Sequence, residues 1–140
     1  MLSRNKTRAQ GFTLVELLVV MAILGMLAAI ALPSLLGGQT EHQRKAAKVE
    51  IGGLETALSS YRLDVGKYPK SLNALIENEG NRKTWNGPYL KKKAMPTDPW
   101  GNEYQYKAPG KHNKKSFDLY SYGPDDQEGG DGENADIGNW

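Results

Sequence analysis

Phe12-Thr13-Leu14-Val15-Glu16-Leu17-Leu18-Val19-Val20-Met21-Ala22-Ile23-Leu24-Gly25-Met26-Leu27-Ala28-Ala29-Ile30-Ala31-Leu32 decides how this chain is built. From Leu17 to Leu32 every residue is apolar or Gly, and Thr13 and Glu16 alone interrupt the run before that. As a helix rising about 1.5 Å per residue, the stretch is roughly 31 Å long, the thickness of a bilayer's hydrocarbon core. Arg4, Lys6 and Arg8 precede it with no acid among them. The positive-inside rule therefore keeps residues 1–11 in the cytoplasm and exports the chain beyond residue 32. Two plainer readings stay open: an ordinary anchor, or a secretory signal peptide cut after Ala31 in Ala29-Ile30-Ala31.

Outward from this stretch the chain is polar. Its 140 residues suit one compact domain, and the apolar share of 39% is concentrated at the N-terminal end. Cysteine is absent, which excludes a disulfide framework, a Cys-zinc site and a cysteine nucleophile. His42 and His112 are too few for a His-rich metal centre, and no Ser/His/Asp set, P-loop or dinucleotide fingerprint can be assembled. An enzyme is not expected. The formal charge is +2, but without the three leader cations 15 basic residues face 16 acidic ones, which removes the case for a nucleic-acid partner.

Glu16 is the informative exception inside the apolar run. An acid costs about 2.5–3.5 kcal/mol at the centre of a membrane helix and less near its edge, so it is seldom without a partner. The nearest base, Arg8, lies two turns away beyond Gly11, so a partner on another molecule is expected. Gly11-Phe12-Thr13-Leu14-Val15-Glu16, behind a basic leader and ahead of a full span, resembles the type IV pilin and pseudopilin signal. The resemblance implies that prepilin peptidase cuts between Gly11 and Phe12 and that the new Phe12 amine is N-methylated. It also implies that Glu16 acts in assembly. Its carboxylate would pair with the freed amine of a neighbouring copy, a head-to-tail contact that propagates as a helical filament.

Beyond the span, Pro33 and Gly37-Gly38 predict a kink or local melt. Helix then resumes to about residue 63, because Ala47, Ile51, Leu54, Leu58 and Tyr61 step by 4, 3, 4 and 3 and define one apolar face for a small sheet. Gly66 and Pro69 stop it, and Ser71 is placed to cap a short helix over 72–78. Residues 79–100 read as loop. Alternation over 103–107 and 117–122 predicts two strands with Tyr104, Tyr106, Phe117, Leu119 and Ser121 inward, and a third strand is expected at Tyr89–Leu90. The fold class is α+β, a long N-terminal helix packed on a small antiparallel sheet.

Charge is unevenly distributed over this domain. Residues 81–115 carry nine bases against Asp98 and Glu103, whereas 116–140 carry seven acids and no base. Lys91-Lys92-Lys93 and Lys111, Lys114 and Lys115 are open to three readings: a solvated surface, an anion surface, or a docking face for an acidic tail. Residues 123–136 pack six carboxylates and four glycines into 14 positions. Such a loop is either a disordered acidic tail or a site for a hard cation, since Ca²⁺ accepts six to eight oxygens from flexible, Gly-turned loops. EF-hand spacing is not met, and only one copy of a calcium-type nonapeptide is present.

Tyr61-Arg62-Leu63-Asp64, Pro96-Thr97-Asp98-Pro99-Trp100-Gly101-Asn102, Gly123-Pro124-Asp125 and Asp136-Ile137-Gly138-Asn139-Trp140 are similar to general secretion pathway protein G, the major pseudopilin family of type II secretion. The resemblance implies a C-terminal calcium loop with Asp125, Asp136 and the Tyr122 carbonyl as ligands. Ala135 stands where some members carry a second Asp, which leaves Asp131, Glu133 or Asn134 as the further ligand. It implies an inner-membrane, single-pass subunit of a Gram-negative bacterium, with residues 1–11 removed, 12–32 as stem and 33–140 periplasmic. Its partners would be other copies of itself, minor pseudopilins, prepilin peptidase and the inner-membrane assembly platform. The function implied is the structural subunit of a pseudopilus that helps push folded proteins through an outer-membrane channel. A type IV pilus pilin, or a soluble calcium-binding module released after Ala31, are the alternatives.

Overall fold

The computed structural model describes residues 10–140. Helix α1 spans Leu14–Val65, and Gly66, at φ +86°, ends it while its N–H donates to the Arg62 carbonyl at 2.8 Å. α1 runs through Pro33 and Gly37-Gly38 without interruption, so of the kink or local melt expected there the melt is not found. A proline removes one hydrogen bond, and the turns on either side can remain helical around that loss. The chain divides into two compact units at the Leu36–Gly37 boundary. Of the leader, residues 1–9 lie outside the described residues.

In the second unit α1 is followed by a 3-10 turn at Leu72–Leu75 and by strands β1 (Gln105–Lys107), β2 (Asp118–Ser121) and β3 (Ile137–Gly138). The sheet is antiparallel in the order β1-β2-β3, with Tyr106 opposite Leu119 and Ser121 opposite Ile137. The apolar face read from the sequence is the one that is buried: Ala47, Ile51, Leu54, Leu58 and Tyr61 are all covered. They meet Leu75, Phe117, Leu119 and Ile137 in one core. At about 1.5–3 kcal/mol for each large apolar side chain, this face dominates the association of helix and sheet. The α+β layout therefore holds.

Three details differ from expectation. The third strand is Ile137–Gly138, not Tyr89–Leu90. The Tyr89 N–H instead donates to the Leu75 carbonyl at 2.8 Å, and its ring stands edge-on to Tyr61 and Trp85, so aromatic packing claims this segment before the sheet can. The short helix is a single 3-10 turn, because Ser71 makes no cap bond and its Oγ donates to the Glu79 carboxylate. Asp118 alternates with the inward residues of β2 yet is itself buried, for a reason that belongs to the loop beside it.

Candidate functional site

At the start of α1, Thr13 and Glu16 cap the helix reciprocally. The Glu16 N–H donates to Thr13 Oγ1 at 3.2 Å, and the Thr13 N–H donates to Glu16 Oε2 at 3.3 Å. This capping box satisfies two of the amide donors that a helix start leaves without partners, and it sets a negative charge at the positive end of the helix dipole. It also corrects the expectation that Glu16 has no partner within its own chain. The Thr-x-x-Glu spacing in the sequence is the signal for it. A carboxylate has room for about four hydrogen bonds, so one amide leaves capacity for an external cation. No residue of the candidate span Leu14–Leu32 is buried, and Phe12 is 87% exposed. Such a surface is stable only in lipid or against other helices.

At the other end, the chain is fastened by two buried carboxylates and one partly buried amide. Asp98 accepts from the Trp100 and Asn102 N–H groups at 3.1 and 2.8 Å, and from Ser121 Oγ at 2.6 Å, which ties the Asp98-Pro99-Trp100-Gly101 turn to β2. Asp118 accepts from the Lys111, His112 and Asn113 N–H groups at 2.7 to 2.8 Å, closing the β1–β2 loop around itself. Burial works against its charge, but these amides and the His112 ring outweigh burial and hold its carboxyl below the ordinary range. Asn139 is the third. Its side chain donates to Glu55 on α1 and to the Phe117 carbonyl, and it accepts from the Leu119 N–H and from Asn113. Trp140 then stacks on His112 at 3.9 Å, and a Cβ at Gly138 would come within 2.5 Å of the indole, so any side chain there displaces the ring.

The acidic loop is the connection between β2 and β3, and their pairing brings its two ends together. Asp136 is held twice by Gly129: its N–H donates to the Gly129 carbonyl at 3.1 Å, and its Oδ2 accepts from the Gly129 N–H at 2.9 Å. Asp136 Oδ1 is buried and makes no hydrogen bond. Asp125 Oδ1 accepts only from the Gln127 N–H, at 3.3 Å. Asp131 flanks the 3-10 turn Gly132–Asn134, and the carbonyl of Glu133 accepts from Arg44. Among the described residues, no three His, Cys, Asp or Glu side chains converge as a metal-binding group. The loop thus supplies one spare buried carboxylate oxygen among oxygen-only donors, the chemistry that suits a hard cation completed by carbonyls and water. Sequence reasoning missed Arg44: its place on the 3-4 stripe before Ala47 signals that it faces the domain, but its partners 89 and 91 positions away leave no local pattern.

Comparison with known proteins fits this architecture. A family model described as "Type II secretion system (T2SS), protein G" matches residues 34–140, and one described as "Prokaryotic N-terminal methylation motif" matches residues 6–32. The type II secretion system core protein G of Vibrio cholerae is 45% identical, over 97% of this chain and 95% of that protein. The protein of the same name from Pseudomonas aeruginosa is 46% identical, over 97% and 98%. The crystal structure of the major pseudopilin from the type 2 secretion system of enterohaemorrhagic Escherichia coli is similar at a TM-score of 0.60 and 33% identity. That similarity covers 76% of this chain and 89% of the crystallised one. The chain belongs to the protein G family of type II secretion systems.

Proposed function

We propose that this chain is the polymerising major subunit of a periplasmic pseudopilus and that it works as a structural element. The observation carrying this is an apolar helical stretch with no buried residue that begins with a capped acid. Residues 12–32 anchor it in the inner membrane, prepilin peptidase cuts between Gly11 and Phe12, and Phe12 is N-methylated. Cutting there leaves the Thr13 N–H untouched, so the capping box survives processing and holds Glu16 beside the new amine. The carboxylate then pairs with the amine of an adjoining copy. Minor pseudopilins and the inner-membrane platform complete the assembly. The family assignment argues against a type IV pilus pilin and against a soluble module released after Ala31.

The test joins mass spectrometry with filament assembly. The mature chain is expected to begin at methylated Phe12, and Glu16→Ala is expected to be cut normally yet form no filaments. A product starting after Ala31, or normal filaments from Glu16→Ala, would overturn the reading.

We also propose that the C-terminal loop takes Ca²⁺, with Asp136 and Asp125 as side-chain ligands, the Tyr122 carbonyl beside them, and Asp131, Glu133 or Asn134 completing the set. The unpartnered Asp136 Oδ1 supports this. Bound calcium would neutralise crowded carboxylates and link ion binding to folding. At a hundredfold excess over its dissociation constant a ligand stabilises by about 2.7 kcal/mol. Millimolar Ca²⁺ is therefore expected to raise the melting temperature of the wild type, and Asp136→Asn to remove the rise. An unchanged wild-type melting temperature counts against the site.

A further inference from the structure

Arg44 lies on α1, three residues before the buried Ala47 and seven before Ile51, so it continues the buried stripe by one step at the edge of the core. Its charge places it among solvated neighbours such as Glu41, Lys45 and Lys48, all of which are exposed. Arg44 differs from them in being half-buried, with its head group committed to the acidic loop. One terminal nitrogen, Nη1, donates both to the Glu133 carbonyl at 3.0 Å and to the Ala135 carbonyl at 2.6 Å. The same nitrogen would lie 3.9 Å from a Cβ placed on Gly123, at the other end of the loop. The guanidinium therefore sits at the neck of the β2–β3 connection, against both of its limbs. Among the described residues, it is the basic side chain hydrogen-bonded to a segment that carries six carboxylates and no base.

We propose that Arg44 is the neck clamp of the acidic loop, a positioning residue that fixes the Ala135–Asp136 backbone on the helix independently of any bound ion. Three bonds then converge on one residue from two sides. Arg44 fixes the carbonyl immediately before Asp136, while Gly129 fixes its N–H and its Oδ2. Only Oδ1 is left over. A carboxylate held this way is preorganised, because its backbone and one oxygen are already committed. Arginine suits the role better than lysine, since its planar group is preorganised and more weakly hydrated, so it gives up less on ordering and partial burial. Charge-assisted bonds of this kind are also the stronger class.

The second consequence rests on the calcium reading. Groups that orient a metal ligand without touching the metal are worth about tenfold to a hundredfold in affinity, so losing Arg44 should weaken calcium binding by that order.

The experiment uses the full chain in detergent, as wild type, Arg44→Met and Arg44→Lys. Hydrogen exchange of peptides covering 123–136 is read in excess EDTA, with peptides covering 47–58 of α1 as internal control, and calcium affinity is then read by titration calorimetry. In EDTA, exchange across 123–136 is expected to quicken about tenfold or more in Arg44→Met, with partial rescue in Arg44→Lys and no change in the α1 peptides. Loop exchange equal to wild type in both variants overturns the clamp. If the Met variant loosens α1 as well, the Lys variant decides: a quickened loop over an unchanged helix supports the clamp, and a loop that moves only with the helix refutes it. A wild type that binds no calcium while Arg44→Met still opens the loop sinks the metal reading and leaves the clamp standing.

Discussion

Asn139→Ala is expected to be the most damaging single change in the second unit, because four hydrogen bonds converge on this one amide. Its loss strands the Leu119 N–H beside a residue with no exposed surface, and separates α1 from β2 by removing the bond to Glu55. A buried group left unpaired costs about 1–3 kcal/mol, and two or more are affected, so a loss of about 2–4 kcal/mol is expected. For a domain of this size that corresponds to a fall of roughly 10–25 °C in melting temperature. Asn139→Asp supplies the control on chemistry. It keeps the volume, but it removes both donors and sets a carboxylate against Glu55, so it is expected to be no better than Ala. Thermal unfolding of the purified chain reads both. A fall under about 3 °C for Asn139→Ala would show that water or neighbouring groups replace its bonds.

Asp118→Ala ranks second and carries a pH signature. Its carboxylate accepts three backbone amides of the β1–β2 loop, and hydrogen bonds to a charged group contribute about 1.5–3 kcal/mol each. The loop is partly exposed, so water recovers some of this, and a net loss of about 2–3 kcal/mol is expected at neutral pH. The carboxyl is held below its ordinary value of 3.8 in the folded chain. A group with a depressed folded pKa contributes stability that is present above its unfolded value and disappears as pH falls through the folded one. The gap between wild type and Asp118→Ala should therefore be constant from about pH 7 to pH 5 and close below about pH 4. A gap that persists unchanged at pH 2 would mean that shape, not charge, fixes the loop.

Everything that depends on periodicity or on local spacing is legible in the chain before it folds. The apolar run marks the candidate span Leu14–Leu32, the 4-3-4-3 steps from Ala47 to Tyr61 mark the buried face, and alternation marks β1 and β2, since each reflects how a single element repeats. Thr13 and Glu16 belong to the same class, since their spacing of three residues is that of a capping box. The remaining features depend on the packed molecule. β3 is two residues long, too short for any pattern, and exists because β2 offers a free edge and Asn139 fastens the chain beyond it. Asp118 is buried on a strand whose alternation would place it outward, because the amides that reward burial come from a loop six residues earlier. Arg44 reaches the Ala135 carbonyl across 91 positions of sequence. Such bonds are chosen by which surfaces meet after the helix packs on the sheet, and nothing in the spacing of residues along the chain encodes that meeting.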